Sequence, residues 1–251
     1  MSASPTLPTP QTCLILGASG GIGRAVTNTL HAQGAALGLH ACRHPDRFAV
    51  APDGLRVRGY SADFRVVAEI EALAKTFLAD FGRLDAFIWC AGIAKDAPAL
   101  TQKEADLREV LAVNLTAPAL LLKAFSRQFL KQRSGSVVLL SSHAGLSGRA
   151  GGASYAMAQS GLIALSKSLA REWGASGVRV NALVPPFVAD SEMGRAASPE
   201  FIESLKRRGA LKTSPQSPPA NPAEAVGTFV AQLLENRTAS GQVFTLDSRI
   251  V

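Results

Sequence analysis

The stretch Leu14–Val26, LILGASGGIGRAV, decides the fold. An apolar run enters a turn carrying Gly17, Gly21 and Gly23, and an amphipathic segment leaves it. That order reads as strand, turn and helix. Glycines at these places allow a tight turn and let the backbone approach a pyrophosphate, which would lie at the positive end of the following helix. Because the turn opens a strand–helix series, a dinucleotide is the expected ligand.

Outward from this turn, short apolar runs alternate with longer amphipathic ones. CLILG, ALGLHAC, LRVRGY, AFIWCAG, SVVLLSS, VRVNALV and QVFTLD read as strands, several of them apolar throughout. Such strands belong in a sheet covered on both faces. Helices are expected over Arg24–Gln33, Arg65–Phe81, Lys103–Phe129, Tyr155–Trp173 and Ala223–Leu234. The alternation predicts a Rossmann-type α/β fold: one domain over 12–251, with a doubly wound parallel sheet and helices on both faces. The Pro/Ser-rich region 186–222 interrupts the rhythm after a strand. It reads as a substrate lid over the crevice, or otherwise as a plain surface loop.

With 251 residues, 47% of them apolar and 18% charged, the chain suits a globular domain with a full core. Cys13, Cys42 and Cys90 each fall in an apolar run, so buried free thiols are expected. No cysteine pair has ligand spacing and the four histidines are scattered, so no metal site is expected. Residues 1–11 lack the pattern of a signal peptide and read as a flexible tail. No apolar run approaches the roughly 20 residues that span a bilayer, so a cytoplasmic chain without membrane contact is expected. The net charge of +7 favours anionic partners or is simply a solvated basic surface. Nucleic acid is not expected, because no dense Lys/Arg block with interleaved aromatics occurs.

The end of the second strand selects the cofactor. An acid there suits a ribose 2′-hydroxyl, whereas an arginine suits a 2′-phosphate. HACRHPDR supplies Arg43, with Arg47 beyond it and no acid beside it, which favours NADP(H) over NAD(H). Asp63, after the third strand, would accept from the adenine amino group.

GASGGIG, GRLDAFIWCAGI, VLAVNLTAPALLL, SGSVVLLSSHAG, YAMAQSGLIALSKSLAREW, VRVNALVPPFV and SGQVFTLD occur in this order. Together they resemble the classical short-chain dehydrogenases/reductases over nearly all of residues 12–251, and the 3-oxoacyl-acyl-carrier-protein reductases in particular. The resemblance implies Tyr155 as the proton donor to a carbonyl, Ser142 as the hydroxyl orienting it, and Asn114 holding a water in the proton path. It implies cofactor contacts from Gly17, Ser19, Gly21, Ile22, Gly23, Arg43, Asp63, Phe64, Ala91, Gly92, Tyr155, Gln159, Pro185 and Val188. It also implies that basic residues near the active-site mouth receive an acyl carrier protein. Arg127, Lys131 and Arg133 are the candidates, although a helix carboxyl end attracts arginines in any case.

Several positions depart from the family pattern. Its lysine is Gln159, four residues past Tyr155 on one helix face, able to contact a ribose but not to carry charge. Leu16, Trp89 and Cys90 replace hydrogen-bonding residues, Pro186 replaces a glycine, Asp190 a threonine, and Ser248–Arg249 a glycine pair. The expected function is an NADPH-dependent ketoreductase acting on a 3-oxoacyl thioester, linked to acyl carrier protein or coenzyme A. The alternative is a catalytically impaired subunit of a hetero-oligomer with an active homologue. Either would assemble, as a homotetramer or a mixed oligomer, through the apolar stripes of the two long helices (Leu107, Leu111, Leu115; Leu162, Leu165, Leu169), unless these face the core. A nucleotide-sensing or nucleic-acid-binding role has only the net charge behind it.

Overall fold

The structure is a computed structural model describing residues 12–53, 56–208 and 221–248. Among the described residues, seven strands form one parallel sheet: β1 (Thr12–Leu16), β2 (Ala36–His40), β3 (Val57–Tyr60), β4 (Ala86–Trp89), β5 (Gly135–Leu140), β6 (Val178–Val184) and β7 (Val243–Thr245). Their order is β3-β2-β1-β4-β5-β6-β7. Leu14 sits opposite Gly38 on one side and Phe87 on the other. The chain runs outward from β1 to β3 and then crosses back to β4. The carboxyl ends of β1 and β4 therefore flank the topological switch point where such sheets open a crevice.

The helices are α1 (Gly21–Ala32), α2 (Val67–Phe81), α3 (Glu104–Leu111), α4 (Ala117–Gln132), α5 (His143–Ser147), α6 (Ala153–Trp173), α7 (Glu192–Arg195), α8 (Pro199–Arg208) and α9 (Pro222–Glu235). Successive strand residues point to opposite faces, and each face has its own core. Phe87 and Trp89 of β4 join Phe77 of α2, Phe125 of α4 and Leu162 of α6. Ala86 and Ile88 join Val26 of α1 and Val230 of α9. Both faces of the central strands are consumed, which is why they read as apolar throughout.

Three expectations need correction. The helix expected over Lys103–Phe129 is interrupted by a π-turn at Ala112–Thr116, where the Ala117 amide bonds the Ala112 carbonyl five residues back. Pro118 offers no N–H to a carbonyl four residues earlier, and the wider turn absorbs the mismatch. Taken together, Glu104–Gln132 is long and apolar enough by composition to cross a membrane. Its Leu121, Leu122, Phe125 and Phe129 are nevertheless buried in the core. Finally, β2 ends at His40, so Cys42 falls in the following loop and is exposed.

The stripes on the long helices divide. Leu162 is fully buried, and Leu115, Leu165 and Leu169 are partly buried against the core. Leu115 packs over Gly161, where a Cβ would meet its Cδ2 at 2.7 Å. The tail 1–11, the segment 209–220 of the expected lid, and Arg249 lie outside the described residues.

Candidate active site

At the switch point Gly17 takes a left-handed φ of 82°. A Cβ on Gly17 would stand 2.7 Å from the Ala91 backbone, so the loops after β1 and β4 touch only because that side chain is missing. A Cβ on Gly23 would come within 2.1 Å of the Gly17 carbonyl oxygen, so the turn folds tightly onto α1. The N-cap of α1 is Gly20, which makes no side-chain cap bond, and no acid occupies the first turn. The amides at the start of α1 are thus available to an anion. Ser19 and Ile22 are half-buried beside them.

Strand β5 delivers Ser142, which caps α5, its Oγ accepting from the Ala144 amide at 3.2 Å. Tyr155 comes from the first turn of α6 and lines the same cavity as Ser142. Burial pushes the Tyr155 phenol above its ordinary value, while the Ser142 hydroxyl and the Arg149 charge oppose that rise and Asp96 adds to it. Tyr155 is therefore a phenol, not a phenolate, at neutral pH. One turn on, Gln159 is only 3% exposed. Its main-chain oxygen accepts from Ser141 Oγ at 2.9 Å, tying α6 to the end of β5. Its side-chain Oε1 is buried with no partner.

Asn114 sits in the π-turn, fully buried. Its Oδ1 accepts from the Ile93 amide and its Nδ2 donates to the Ile93 carbonyl, both at 2.8 Å. It thereby braces the loop after β4, against Gly92.

These elements enclose a cavity of about 600 Å³ at the carboxyl ends of the strands. Ser142, Tyr155, Pro185, Pro186, Ile22 and Val188 line it, and α7 and α8 cover it with Met193, Phe201 and Leu205. Phe187 and Phe201 meet edge to face, their ring centroids 6.0 Å apart. The described part of the expected lid is thus in contact with the site.

Other predicted residues are placed differently. Asp63 has its carboxylate engaged by Arg65 Nε at 2.9 and 3.0 Å, and that contact holds it below the usual carboxylate range. The Phe64 ring is buried between His40 and Trp89, at centroid distances of 4.2 and 4.8 Å, so it belongs to the core. Trp89 fills core space by ring packing, where the family resemblance implies a hydrogen-bonding residue. Asp190 is exposed and does not line the cavity, whereas Ser191 does. Arg127, Lys131 and Arg133 are exposed at the carboxyl end of α4 and just beyond it. They are separated from Ser142 by the whole of β5, roughly 20 Å, so within one chain they are not at the mouth of the cavity.

Three residues were not anticipated from the sequence. Ser191 caps α7, accepting from the Gly194 amide at 2.9 Å, and lies against Gly21. Glu192 Oε1 pairs with Arg43 Nη2 at 3.0 Å, both side chains largely exposed, so the loop after β2 is joined to α7. Arg149 lies over Tyr155. A hydroxyl residue one place beyond Asp190 was the available signal for Ser191. An arginine in the glycine-rich SGRAGG loop was the signal for Arg149.

Residues 11–200 match the family described as short chain dehydrogenase. The chain is 32% identical over 253 residues to a 3-oxoacyl-[acyl-carrier-protein] reductase of Synechocystis, covering 98% of this chain and 99% of that protein. It is 34% identical over 203 residues to 3-oxoacyl-[acyl-carrier-protein] reductase FabG of Salmonella typhimurium, covering 80% and 81%. A crystal structure of a dehydrogenase/reductase from Sinorhizobium meliloti 1021 superimposes with a TM-score of 0.83 at 27% identity, covering 96% of this chain and 95% of that one. With the glycine turn, the switch-point crevice and the Ser142–Tyr155 pair in place, the chain belongs to the short-chain dehydrogenase family of oxidoreductases.

Proposed function

We propose that this protein is an NADPH-dependent ketoreductase acting on a 3-oxoacyl thioester. The observation that carries the reading is that the Ser142 and Tyr155 side chains line one largely apolar cavity, which Ile22 of the glycine turn also lines. The residues present fit a dinucleotide. The start of α1 has free amides and no side chain in the way. Gln159 Oε1, a buried acceptor without a partner, suits the donor of a ribose hydroxyl. Arg43 stands at the end of β2, where a 2′-phosphate would be read.

Bound NADPH would supply the hydride to the carbonyl carbon. The Ser142 hydroxyl donates to the carbonyl oxygen and fixes its direction, and the Tyr155 hydroxyl gives that oxygen its proton. The product is an alcohol, and Tyr155 recovers its proton from solvent. Burial keeps Tyr155 protonated, the form a reduction requires. The walls made by Phe187, Phe201 and Leu205 suit an acyl chain and keep water off the reacting carbon. Docking of a carrier protein on Arg127, Lys131 and Arg133 would need a neighbouring subunit to bring them near a mouth. Assembly through the outer faces of α4 and α6 fits the exposed Leu130 and Met157, at 38% and 48%.

The test is steady-state NADPH oxidation with a series of 3-oxoacyl thioesters, against NADH, for the wild type, Ser142→Ala and Tyr155→Phe. Turnover that prefers NADPH and falls about 100- to 10,000-fold in Tyr155→Phe is expected. NADPH oxidation unaffected by Tyr155→Phe would overturn the assignment.

A further inference from the structure

Tyr155 must give up its proton from a desolvated site, and α6 offers it no help. Between Tyr155 and Lys167, about three turns away, this helix carries no charged side chain, and the residue one turn on is the neutral Gln159. The charge facing the phenol comes from elsewhere. The guanidinium carbon of Arg149, from the loop joining α5 to α6, lies 5.7 Å from the centroid of the Tyr155 ring. The ring centroid of Phe201 of α8 is also 5.7 Å from it. Arg149 Nη2 bonds Asp96 Oδ1 at 2.5 Å, which fixes the head group, and its Nε is buried without a partner. The Arg149 side chain is 27% exposed, and a partly buried guanidinium against aromatic rings acts through a lower dielectric than at an open surface.

We propose that Arg149 is the cation that polarises the Tyr155 phenol, and that Phe201 and Asp96 hold it there. This makes Arg149 a positioning residue: it acts through Tyr155. The other charged or titratable groups facing the cavity, among the described residues, are Asp96 from the loop after β4 and His143 from α5. Neighbouring Lys95 is engaged by Asp106 and Glu109, at 2.8 and 2.5 Å. The electrostatic balance has the same sign, since Arg149 favours the phenolate and Asp96 disfavours it, with Arg149 the larger of the two.

The inference rests on Tyr155 as proton donor, but its test needs neither cofactor nor substrate. The chain contains two tyrosines. Burial and its 2.7 Å hydrogen bond to Asp80 push the Tyr60 phenol up as well. The difference in ultraviolet absorbance against pH between the wild type and Tyr155→Phe therefore isolates the Tyr155 tyrosinate transition. Arg149→Gln and Arg149→Met, which keep much of the side chain and lose its charge, should each move the midpoint up by about one pH unit, and Arg149→Lys should leave it near the wild-type value. Circular dichroism across the titrated pH range checks that each variant stays folded. If Arg149→Gln does not fold, Arg149→Met carries the test. A midpoint that is the same with and without the Arg149 charge overturns the proposal. Shifts as expected in a protein without NADPH turnover would sink the ketoreductase reading and leave this inference standing.

Discussion

Removing Arg43 should weaken NADPH and leave NADH nearly untouched. The Arg43 side chain is 63% exposed and paired only at the surface with Glu192, itself 64% exposed. A hydrogen bond to a charged group contributes about 1.5–3 kcal/mol, and solvent screening at this exposure argues for the lower end. Arg43→Ala should therefore cost about 1.4 kcal/mol, a tenfold loss of NADPH affinity. Glu192 acts in the opposite direction, since it competes with the phosphate for Arg43 and adds a negative charge nearby. An exposed pair is worth at most about 1 kcal/mol, so Glu192→Gln should tighten NADPH by up to about fivefold. Titration calorimetry with both cofactors, repeated at two salt concentrations, reads these differences, and the NADPH-specific part should shrink as salt rises. Equal weakening of NADPH and NADH in Arg43→Ala would refute phosphate recognition by this residue. Looser NADPH binding in Glu192→Gln would refute the competition.

Three further outcomes are expected. Gly23→Ala places a Cβ 2.1 Å from the Gly17 carbonyl, which backbone must yield to accommodate; melting temperature and NADPH affinity should both fall, and retention of both would contradict the tight turn. His40 is 1% exposed, and burial lowers its pKa from 6.5 to about 4, against a smaller opposing effect of its hydrogen bond to the Ala62 carbonyl. The neutral form is the folded one, so its contribution is complete above pH 6.5 and is lost as pH falls toward 4, by up to about 3 kcal/mol; denaturant titrations of His40→Gln should show a shallower acid limb. Asn114→Ala strands the Ile93 amide and carbonyl in the interior and should destabilise the fold by about 2 kcal/mol in urea unfolding.

Much of the fold is legible because burial on both faces leaves its mark on composition. The runs around Leu14, Phe87 and Val138 are apolar whichever way a residue points, and the glycines of the first turn appear where only a missing Cβ fits. What stays hidden depends on contacts between distant segments. Nothing local to Phe64 foretells that it will be stacked between His40 and Trp89. The π-turn at Asn114 comes from one missing amide proton at Pro118 inside an otherwise regular helical pattern. Asp190 and Ser191 differ by one position in a loop, where no periodicity fixes which side chain faces the cavity. Arg149 is the clearest case, because its partners Asp96, Tyr155 and Phe201 come from three separate segments.

The most direct test mixes the protein, loaded with NADPH, with excess 3-oxoacyl thioester and follows a single turnover by the loss of NADPH absorbance. The account predicts a wild-type decay whose rate is flat through neutral pH and falls only as Tyr155 ionises, with the decay slowed at least about 100-fold in Tyr155→Phe. NADPH that stays bound and unoxidised in the wild type, with Tyr155→Phe no different, would contradict it and point to a subunit that has kept the cofactor crevice without the chemistry.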